Sequence, residues 1–113
     1  MSIKSFAAGI FASYVRNKIN KWAENPHDTQ EKVFQQLLKK GADTKFGKDH
    51  HFQNINTHQD FTKQVPVRDY EELKNYMDLM VSGEEDVLWP GKPLYYAKTS
   101  GTTSGAKYIP LTK

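Results

Sequence analysis

The chain has 113 residues, a length that fits one domain of modest size or a piece of a larger one. Hydrophobic residues make up 37% and aromatic residues 12%, which is enough apolar material for a core. There is no cysteine, which excludes a disulfide framework and a metal site built from thiolates. The four histidines show no metal-ligand pattern, so we expect surface histidines and no metal site.

The net charge of +3 is distributed unevenly along the chain. Residues 1–68 are basic, residues 69–86 carry seven acids against one lysine, and residues 87–113 carry four lysines and no acid. The basic part lacks aromatic–basic alternation, a zinc pattern and an RNA-binding signature. Solvated helix faces explain these charges, and we expect no nucleic-acid partner.

The N-terminal segment predicts an amphipathic helix from about Ile3 to Glu24. Its apolar side chains recur at helical spacing, at Ile3, Phe6, Ile10, Tyr14 and Trp22, with Phe11 and Val15 widening the stripe. The apolar run is too short to span a bilayer, which takes about 20 residues, and no convincing signal-peptide cleavage site follows it. We expect the stripe to pack on the body of a protein, with membrane-surface binding as the alternative. The expected location is the cytoplasm, with no membrane partner.

A second helix follows Asn25-Pro26, with Asp28 and Glu31 spaced as in a capping box. Its expected buried stripe consists of Val33, Phe34, Leu37 and Leu38. Gly41 is the expected C-terminal cap. A short helical segment is predicted over residues 44–49, and residues 53–56 are loop by composition.

The next segments are also short. Thr57 with Asp60 predicts one more helical turn, which carries Phe61. The segment Val65-Pro66-Val67 is predicted as extended, because proline biases its predecessor away from helix. The best-defined helix then starts with Asp69 as N-cap and Glu72 at the third position. Its apolar stripe comprises Tyr70, Leu73, Tyr76, Met77 and Met80, with Gly83 as the stop and an exposed acidic link over residues 84–86.

The stretch that carries chemistry lies between two short β-prone runs, residues 94–98 and Tyr108-Ile109. Ser, Thr and Gly residues run without a break from Thr99 to Gly105, and Lys107 follows shortly after. Small side chains let the backbone approach a ligand, and hydroxyl and N–H groups supply donors without bulk. Such a loop suits an anion with several oxygens, most obviously the phosphates of a nucleotide.

This loop differs from a Walker A motif, because its glycines are four residues apart and Tyr108 follows the lysine. The alternative interpretation is a solvated turn that joins two strands. Ser100-Gly101-Thr102-Thr103, with Lys107 six residues after Gly101, resembles the phosphate loop of the adenylate-forming superfamily. Ser104 stands where that superfamily usually has glycine, and Ala106 where it often has proline.

With these departures, the loop resembles one branch, the Gretchen Hagen (auxin-responsive promoter) family of acyl-acid amido synthetases. Further segments similar to that family are Thr44-Lys45-Phe46-Gly47, Val65-Pro66-Val67, Asp69-Tyr70-Glu71-Glu72-Leu73, Gly83, Leu88-Trp89-Pro90-Gly91 and Ala97-Lys98-Thr99-Ser100-Gly101-Thr102-Thr103. The resemblance therefore covers most of the chain.

The resemblance implies an α/β fold, the mostly helical N-terminal piece of an adenylate-forming enzyme that ends in short β-strands flanking a Ser/Thr/Gly phosphate loop. Residues 1–113 would be an incomplete N-terminal segment of the large adenylate-forming domain, expected to be inactive alone. The implied enzyme is an ATP-dependent ligase that adenylates an acid and then forms an amide with an amino acid. Its implied partners are a small-molecule carboxylic acid, an amino acid and the missing C-terminal portion of the same chain.

The implied cofactors are ATP and Mg²⁺. The implied phosphate-binding residues are Ser100, Gly101, Thr102, Thr103, Ser104, Gly105 and Lys107. No catalytic residue and no metal ligand is assigned. Two alternatives remain open: a fragment of another adenylate-forming ligase such as an acyl-CoA synthetase, and a non-catalytic helical interaction module whose Ser/Thr/Gly stretch is a flexible tail.

Overall fold

A computed structural model gives the structure of the chain and describes residues 2–101 and 105–113. In these residues the elements are α1 (Ile3–Glu24), α2 (Pro26–Gly41), α3 (Lys45–Asp49), a 3₁₀ turn (Phe52–Asn54), α4 (His58–Gln64), α5 (Lys74–Val81), β1 (Tyr95–Lys98) and β2 (Tyr108–Leu111). The chain divides into two compact units, residues 1–34 and 35–113. A mostly helical chain with one small antiparallel sheet agrees with the predicted α/β class.

The first unit contains α1, and the predicted helix over Ile3–Glu24 is confirmed. Its apolar stripe is exposed, from 51% at Trp22 to 89% at Ile3, except for Val15, which is partly buried. No residue of α1, all of which the structure describes, is buried. Packing of this stripe on a protein body therefore stays a prediction. In the described part of the chain, no helix combines the length and apolar character needed to cross a membrane.

Helix α2 begins earlier than the sequence predicts. Pro26 is its first residue, so the predicted start at Asp28, with Glu31 as its capping partner, is wrong. Proline fits the first helical position because its missing N–H would have no intrahelical partner there. Of the predicted apolar stripe, Leu38 is buried, whereas Val33 and Leu37 stay exposed.

Helix α3 confirms the short helix predicted over residues 44–49, and its N-terminus is fully bonded. The Thr44 hydroxyl accepts the Gly47 N–H at 3.0 Å and donates to the Gly41 carbonyl at 2.7 Å. The N–H groups of Lys45 and Phe46 donate to the carbonyls of residues 86 and 87 at 2.7 and 2.9 Å. A helix N-terminus leaves such N–H groups without intrahelical partners, so these bonds attach residues 86–87 to α3.

The core of the second unit lies around α3. Among the described residues, its buried apolar side chains are Leu38, Ile55, Met80 and Val87. The Phe46 ring contacts the Phe52 and Tyr76 rings, with centroids 5.9 and 5.2 Å away. The prediction that His50 lies on the surface is wrong. Its ring is buried and stacks on Phe46 at 4.0 Å, and its Nδ1 lies 2.8 Å from the Phe46 carbonyl oxygen.

The segment after α3 is more regular than its composition predicts. Composition predicts a loop over residues 53–56, but a 3₁₀ turn covers Phe52–Asn54 and Ile55 is buried. The predicted helical turn at Thr57 is confirmed as α4. Its capping box is complete, because Thr57 accepts the Asp60 N–H at 3.1 Å and donates its own N–H to the Asp60 carboxylate at 3.0 Å. Val65 is extended, as predicted.

Helix α5 starts later than predicted although its capping box forms. The Asp69 N–H donates to the Glu72 carboxylate at 2.9 Å, and the Glu72 N–H donates to the Asp69 carboxylate at 3.0 Å. Residues 70–73 nevertheless form turns, with the Leu73 N–H bonded to the Tyr70 carbonyl at 3.2 Å. Such i→i+3 bonds tighten the chain ahead of the regular helix, which begins at Lys74.

The predicted stop at Gly83 is confirmed, and its geometry is a Schellman motif. Gly83 has φ +105°, its N–H donates to the Met80 carbonyl at 3.1 Å, and the Glu84 N–H donates to the Leu79 carbonyl at 3.0 Å. The acidic link that follows is exposed but ordered by its own bonds. The Asp86 carboxylate accepts the Gly91 N–H at 2.7 Å.

Glycine is required at position 47, because a Cβ there would collide with the Gly41 carbonyl group. We predict that Gly47→Ala lowers the free energy of unfolding by about 1–3 kcal/mol, the usual cost of overpacking. The matched control is Gly9→Ala in α1, where a Cβ meets nothing within 4 Å. That change should stabilise the helix by about 0.5–1 kcal/mol. Denaturant unfolding followed by circular dichroism measures both. If Gly47→Ala does not lower the free energy of unfolding relative to Gly9→Ala, the close approach at Gly47 is contradicted.

Candidate functional site

The predicted phosphate loop connects β1 and β2, which pair antiparallel from Tyr95 opposite Leu111 to Lys98 opposite Tyr108. Beyond the last pair, the Thr99 N–H donates to the Lys107 carbonyl at 2.9 Å. The Lys107 N–H donates to the Thr99 hydroxyl at 3.2 Å. These two bonds close the base of the loop, and beyond it lie the described loop residues 100, 101, 105 and 106.

The described part of the loop contains four of the predicted site residues. Ser100, Gly101 and Gly105 are exposed, and Lys107 is partly buried at the loop's exit. The other three predicted site residues, Thr102, Thr103 and Ser104, lie outside the described residues. The structure thus brings the four described residues together in one loop, and their role toward phosphates stays a prediction.

The two loop glycines are required by the backbone itself. A Cβ at Gly101 would collide with the carbonyl group of Gly105, so these two residues approach each other as only a missing side chain allows. Gly105 has φ +81°, a conformation that other residues rarely adopt. Glycine at both positions therefore has a structural reason that is independent of any ligand.

Lys107 supplies the positive charge of the site. Its ammonium lies 5.4 Å from the centroid of the Tyr70 ring. It forms no ion pair with any carboxylate in the described part of the chain. Without a carboxylate partner among the described residues, the Lys107 ammonium is available to an anion at the loop.

Tyr70 is the residue at this site that sequence reasoning missed. The sequence pattern places it only in the apolar stripe of a helix, yet its hydroxyl accepts the Tyr108 N–H at 2.9 Å. The same hydroxyl lies 3.4 Å from the Tyr108 carbonyl oxygen. The capping box fixes the backbone at Tyr70, but nothing local indicates a contact with a residue 38 positions later.

A second polar cluster joins α3 to α5 and lines a cavity of about 540 Å³. The Tyr76 hydroxyl donates to the Asp49 carboxylate at 2.9 Å, and the Lys45 ammonium lies 3.1 Å from the same oxygen. The hydrogen bond from Tyr76, followed by that from Lys45, lowers the pKa of Asp49. Partial burial, then the Asp49 carboxylate, raises the pKa of Tyr76. The hydrogen bond between Tyr76 and Asp49 joins α3 to α5.

Comparison with known proteins gives a family match. The GH3 family N-terminal domain matches residues 15–113. An indole-3-acetic acid-amido synthetase of Arabidopsis thaliana, GH3.15, is 33% identical over 90 residues, which cover 78% of this chain and 15% of that protein. The Arabidopsis thaliana indole-3-acetic acid-amido synthetases GH3.2 and GH3.4 are each 27% identical over 92 residues, or 80% of this chain.

The chain therefore belongs to the GH3 family, the Gretchen Hagen family that its motifs resemble. It spans only 15–17% of the length of these three curated relatives. The match begins at residue 15, so most of α1 precedes it. It includes the loop, the capping box before α5 and the whole of α3.

The Asp49 contacts predict a dependence of stability on pH. A lowered pKa in the folded state means that ionised Asp49 stabilises the fold above its ordinary pKa of 3.8, and that this contribution disappears as the pH falls through the lower folded value. At pH 7, Asp49→Asn should cost no more than about 1 kcal/mol, because the pair is near the surface. The difference in the free energy of unfolding between Asp49→Asn and the unsubstituted chain should vanish at pH values below the pKa of Asp49 in the folded state.

The control for this prediction is Asp78→Asn. Asp78 also pairs with a lysine four positions earlier, at 2.7 Å, but no tyrosine hydroxyl donates to it in the described structure. Its replacement should cost less at pH 7, because this pair is more exposed than that of Asp49 and lacks the tyrosine hydrogen bond. Urea unfolding at neutral and acidic pH measures both variants. Identical losses would show that the Tyr76 hydrogen bond contributes nothing.

Proposed function

We propose that this chain is the N-terminal segment of an ATP-dependent acyl-acid amido synthetase and that its loop binds the phosphates of ATP. The observation that carries the proposal is the match to the GH3 family over residues 15–113, which includes the Ser/Thr/Gly loop with its exposed residues Ser100, Gly101 and Gly105. The relatives' names describe ligases that form an amide of indole-3-acetic acid. For this chain we propose the broader classes, a small-molecule carboxylic acid and an amino acid.

The proposed reaction has two steps. In the first, a carboxylate oxygen of the acid attacks the α-phosphorus of ATP, the bond to the β-phosphate breaks, and pyrophosphate leaves. In the second, the amine of the amino acid attacks the acyl carbon, the amide bond forms, AMP leaves and the amine loses a proton. Negative charge grows on the departing pyrophosphate, so donors that are already in place would stabilise the transition state.

The described loop residues have the properties that this role requires. Ser100 and Gly101 are exposed at the end of β1 and offer N–H and hydroxyl donors. The Lys107 ammonium has no carboxylate partner in the described chain and would neutralise charge on the β- and γ-phosphates. Thr102, Thr103, Ser104 and Gly105 complete the proposed set by sequence. Their small side chains would leave room for phosphate oxygens close to the backbone.

Magnesium would accompany the nucleotide, because hard cations bind phosphate oxygens. In residues 2–101 and 105–113 there is no group of three or more His, Asp or Glu side chains that could hold a metal ion. We therefore assign no residue of this chain to it and derive no step from it.

We further propose that residues 1–113 belong to the large adenylate-forming domain and are inactive without the rest of the enzyme. The proposed location is the cytoplasm, where ATP and free amino acids are both available. The relatives favour amide formation over the alternative of an acyl-CoA synthetase.

Alanine substitution of the loop hydroxyls tests the phosphate-binding role. In the whole enzyme, Ser100→Ala and Thr102→Ala should each slow adenylation by about a hundredfold to a thousandfold, the usual loss for one preorganised donor. The melting temperature should change little, because short hydroxyls in a connection between two strands contribute little to a core. The assay is ATP–pyrophosphate exchange at saturating acid, with thermal melts on the same preparations.

Thr112→Ala is the matched control, since Thr112 is an exposed threonine just beyond β2. Its exchange rate and melting temperature should equal those of the unsubstituted enzyme. If Ser100→Ala and Thr102→Ala retain normal exchange as well, the loop is a solvated turn and the phosphate-binding assignment is wrong.

A further inference from the structure

On the edge of β2 that faces away from β1, the side chain of Tyr70 contacts the backbone of Tyr108. In an antiparallel pair, alternate residues direct their N–H and C=O groups away from the partner strand. Tyr108 lies opposite Lys98 at the loop end of the hairpin, and its N–H donates to the Tyr70 hydroxyl at 2.9 Å. The Tyr108 carbonyl oxygen is 3.4 Å from the same hydroxyl. A residue from outside the sheet thus takes the place of a neighbouring strand here.

Tyr70 also contacts Lys107, the residue before Tyr108. The Lys107 ammonium lies 5.4 Å from the Tyr70 ring centroid, within the range of cation–π attraction. The Lys107 backbone is bonded on its other side to Thr99, through N–H and carbonyl alike. Tyr70 therefore contacts both the side chain of Lys107 and the peptide that follows it.

Tyr70 is itself held in place. Asp69 and Glu72 bond reciprocally around it, at 2.9 and 3.0 Å, and its carbonyl accepts the Leu73 N–H at 3.2 Å. At the other end of α5, the Tyr96 hydroxyl donates to the Met80 carbonyl at 2.6 Å. Among the described residues, two tyrosine hydroxyls thus attach the hairpin to the α5 segment, and of these two that of Tyr70 lies at the loop.

We propose that Tyr70 is a positioning residue that holds the Lys107 ammonium at the loop and so sets the affinity of the loop for the phosphates of ATP. The inference rests on the proposed function. Its physical basis is geometric: without the hydroxyl, the Tyr108 N–H loses its partner, and the backbone that carries Lys107 is held on one side only, by its two bonds to Thr99. The lysine then reaches the phosphates less often in the productive position.

Tyr70→Phe tests the inference, because it keeps the ring and removes only the hydroxyl. In the whole enzyme, the KM for ATP in pyrophosphate exchange should rise about two- to tenfold, the effect of one hydrogen bond, with kcat near normal. Tyr96→Phe is the matched control, because it removes the other hydroxyl that attaches the hairpin to α5. It should lower the melting temperature about as much as Tyr70→Phe and leave the KM for ATP unchanged.

Two further measurements distinguish a role of Tyr70 in positioning Lys107 from a general effect on the stability of the fold. In Lys107→Ala, which should itself raise the KM for ATP, the additional Tyr70→Phe change should have no further effect, because both act through the lysine. Amide hydrogen exchange at Tyr108 should be faster in Tyr70→Phe and unchanged in Tyr96→Phe.

The outcomes distinguish this inference from the proposed function. If Ser100→Ala and Thr102→Ala slow exchange but Tyr70→Phe leaves the KM for ATP normal, only the role of Tyr70 is overturned. That role is likewise overturned if Lys107→Ala has no effect, or if Tyr96→Phe raises the KM equally. If the two loop substitutions leave exchange normal, the phosphate-binding assignment itself fails, and the role of Tyr70 fails with it.

Discussion

Hydrogen bonds between residues 86–87 and the N-terminus of α3 connect the segment after α5 to the start of α3 in the second unit. The N–H groups of Lys45 and Phe46 would lack partners in an isolated short helix, and the carbonyls of Asp86 and Val87 supply them. Val87 is buried in the core of the second unit, and the chain continues from there towards the hairpin. Residues about 40 positions apart in sequence are thus neighbours, because the N–H groups at one helix end are bonded to carbonyls of a distant segment.

From that attachment, a series of hydrogen bonds leads to the loop. Tyr76 joins α5 to Asp49 of α3, Tyr96 joins β1 to α5, and Tyr70 joins the turn before α5 to β2. The hairpin is thereby held along its length, whereas the described loop residues Ser100, Gly101 and Gly105 remain exposed. A fixed base beside exposed loop residues suits a loop that must present donors without rearranging, and this favours the phosphate-binding proposal.

Several segments through which the chain resembles the GH3 family have identifiable physical tasks. In Thr44-Lys45-Phe46-Gly47, the threonine caps α3, two N–H groups donate to residues 86–87, and the glycine allows contact with Gly41. In Asp69-Tyr70-Glu71-Glu72, the first and last residues form the capping box that holds Tyr70. The motifs thus include scaffold as well as candidate site, and the scaffold residues orient the site.

The sequence by itself determined the features that depend on near neighbours. Helical periodicity predicted α1, Gly83 predicted the end of α5, and the Ser/Thr/Gly run predicted the connection between two strands. Only the tertiary structure decided that His50 is buried, that Ile55 belongs to the core and that Tyr70 contacts Tyr108. A local pattern fixes backbone conformation through bonds within a few residues. Burial and long-range hydrogen bonds depend on which distant segments pack together, and no short stretch of sequence carries that information.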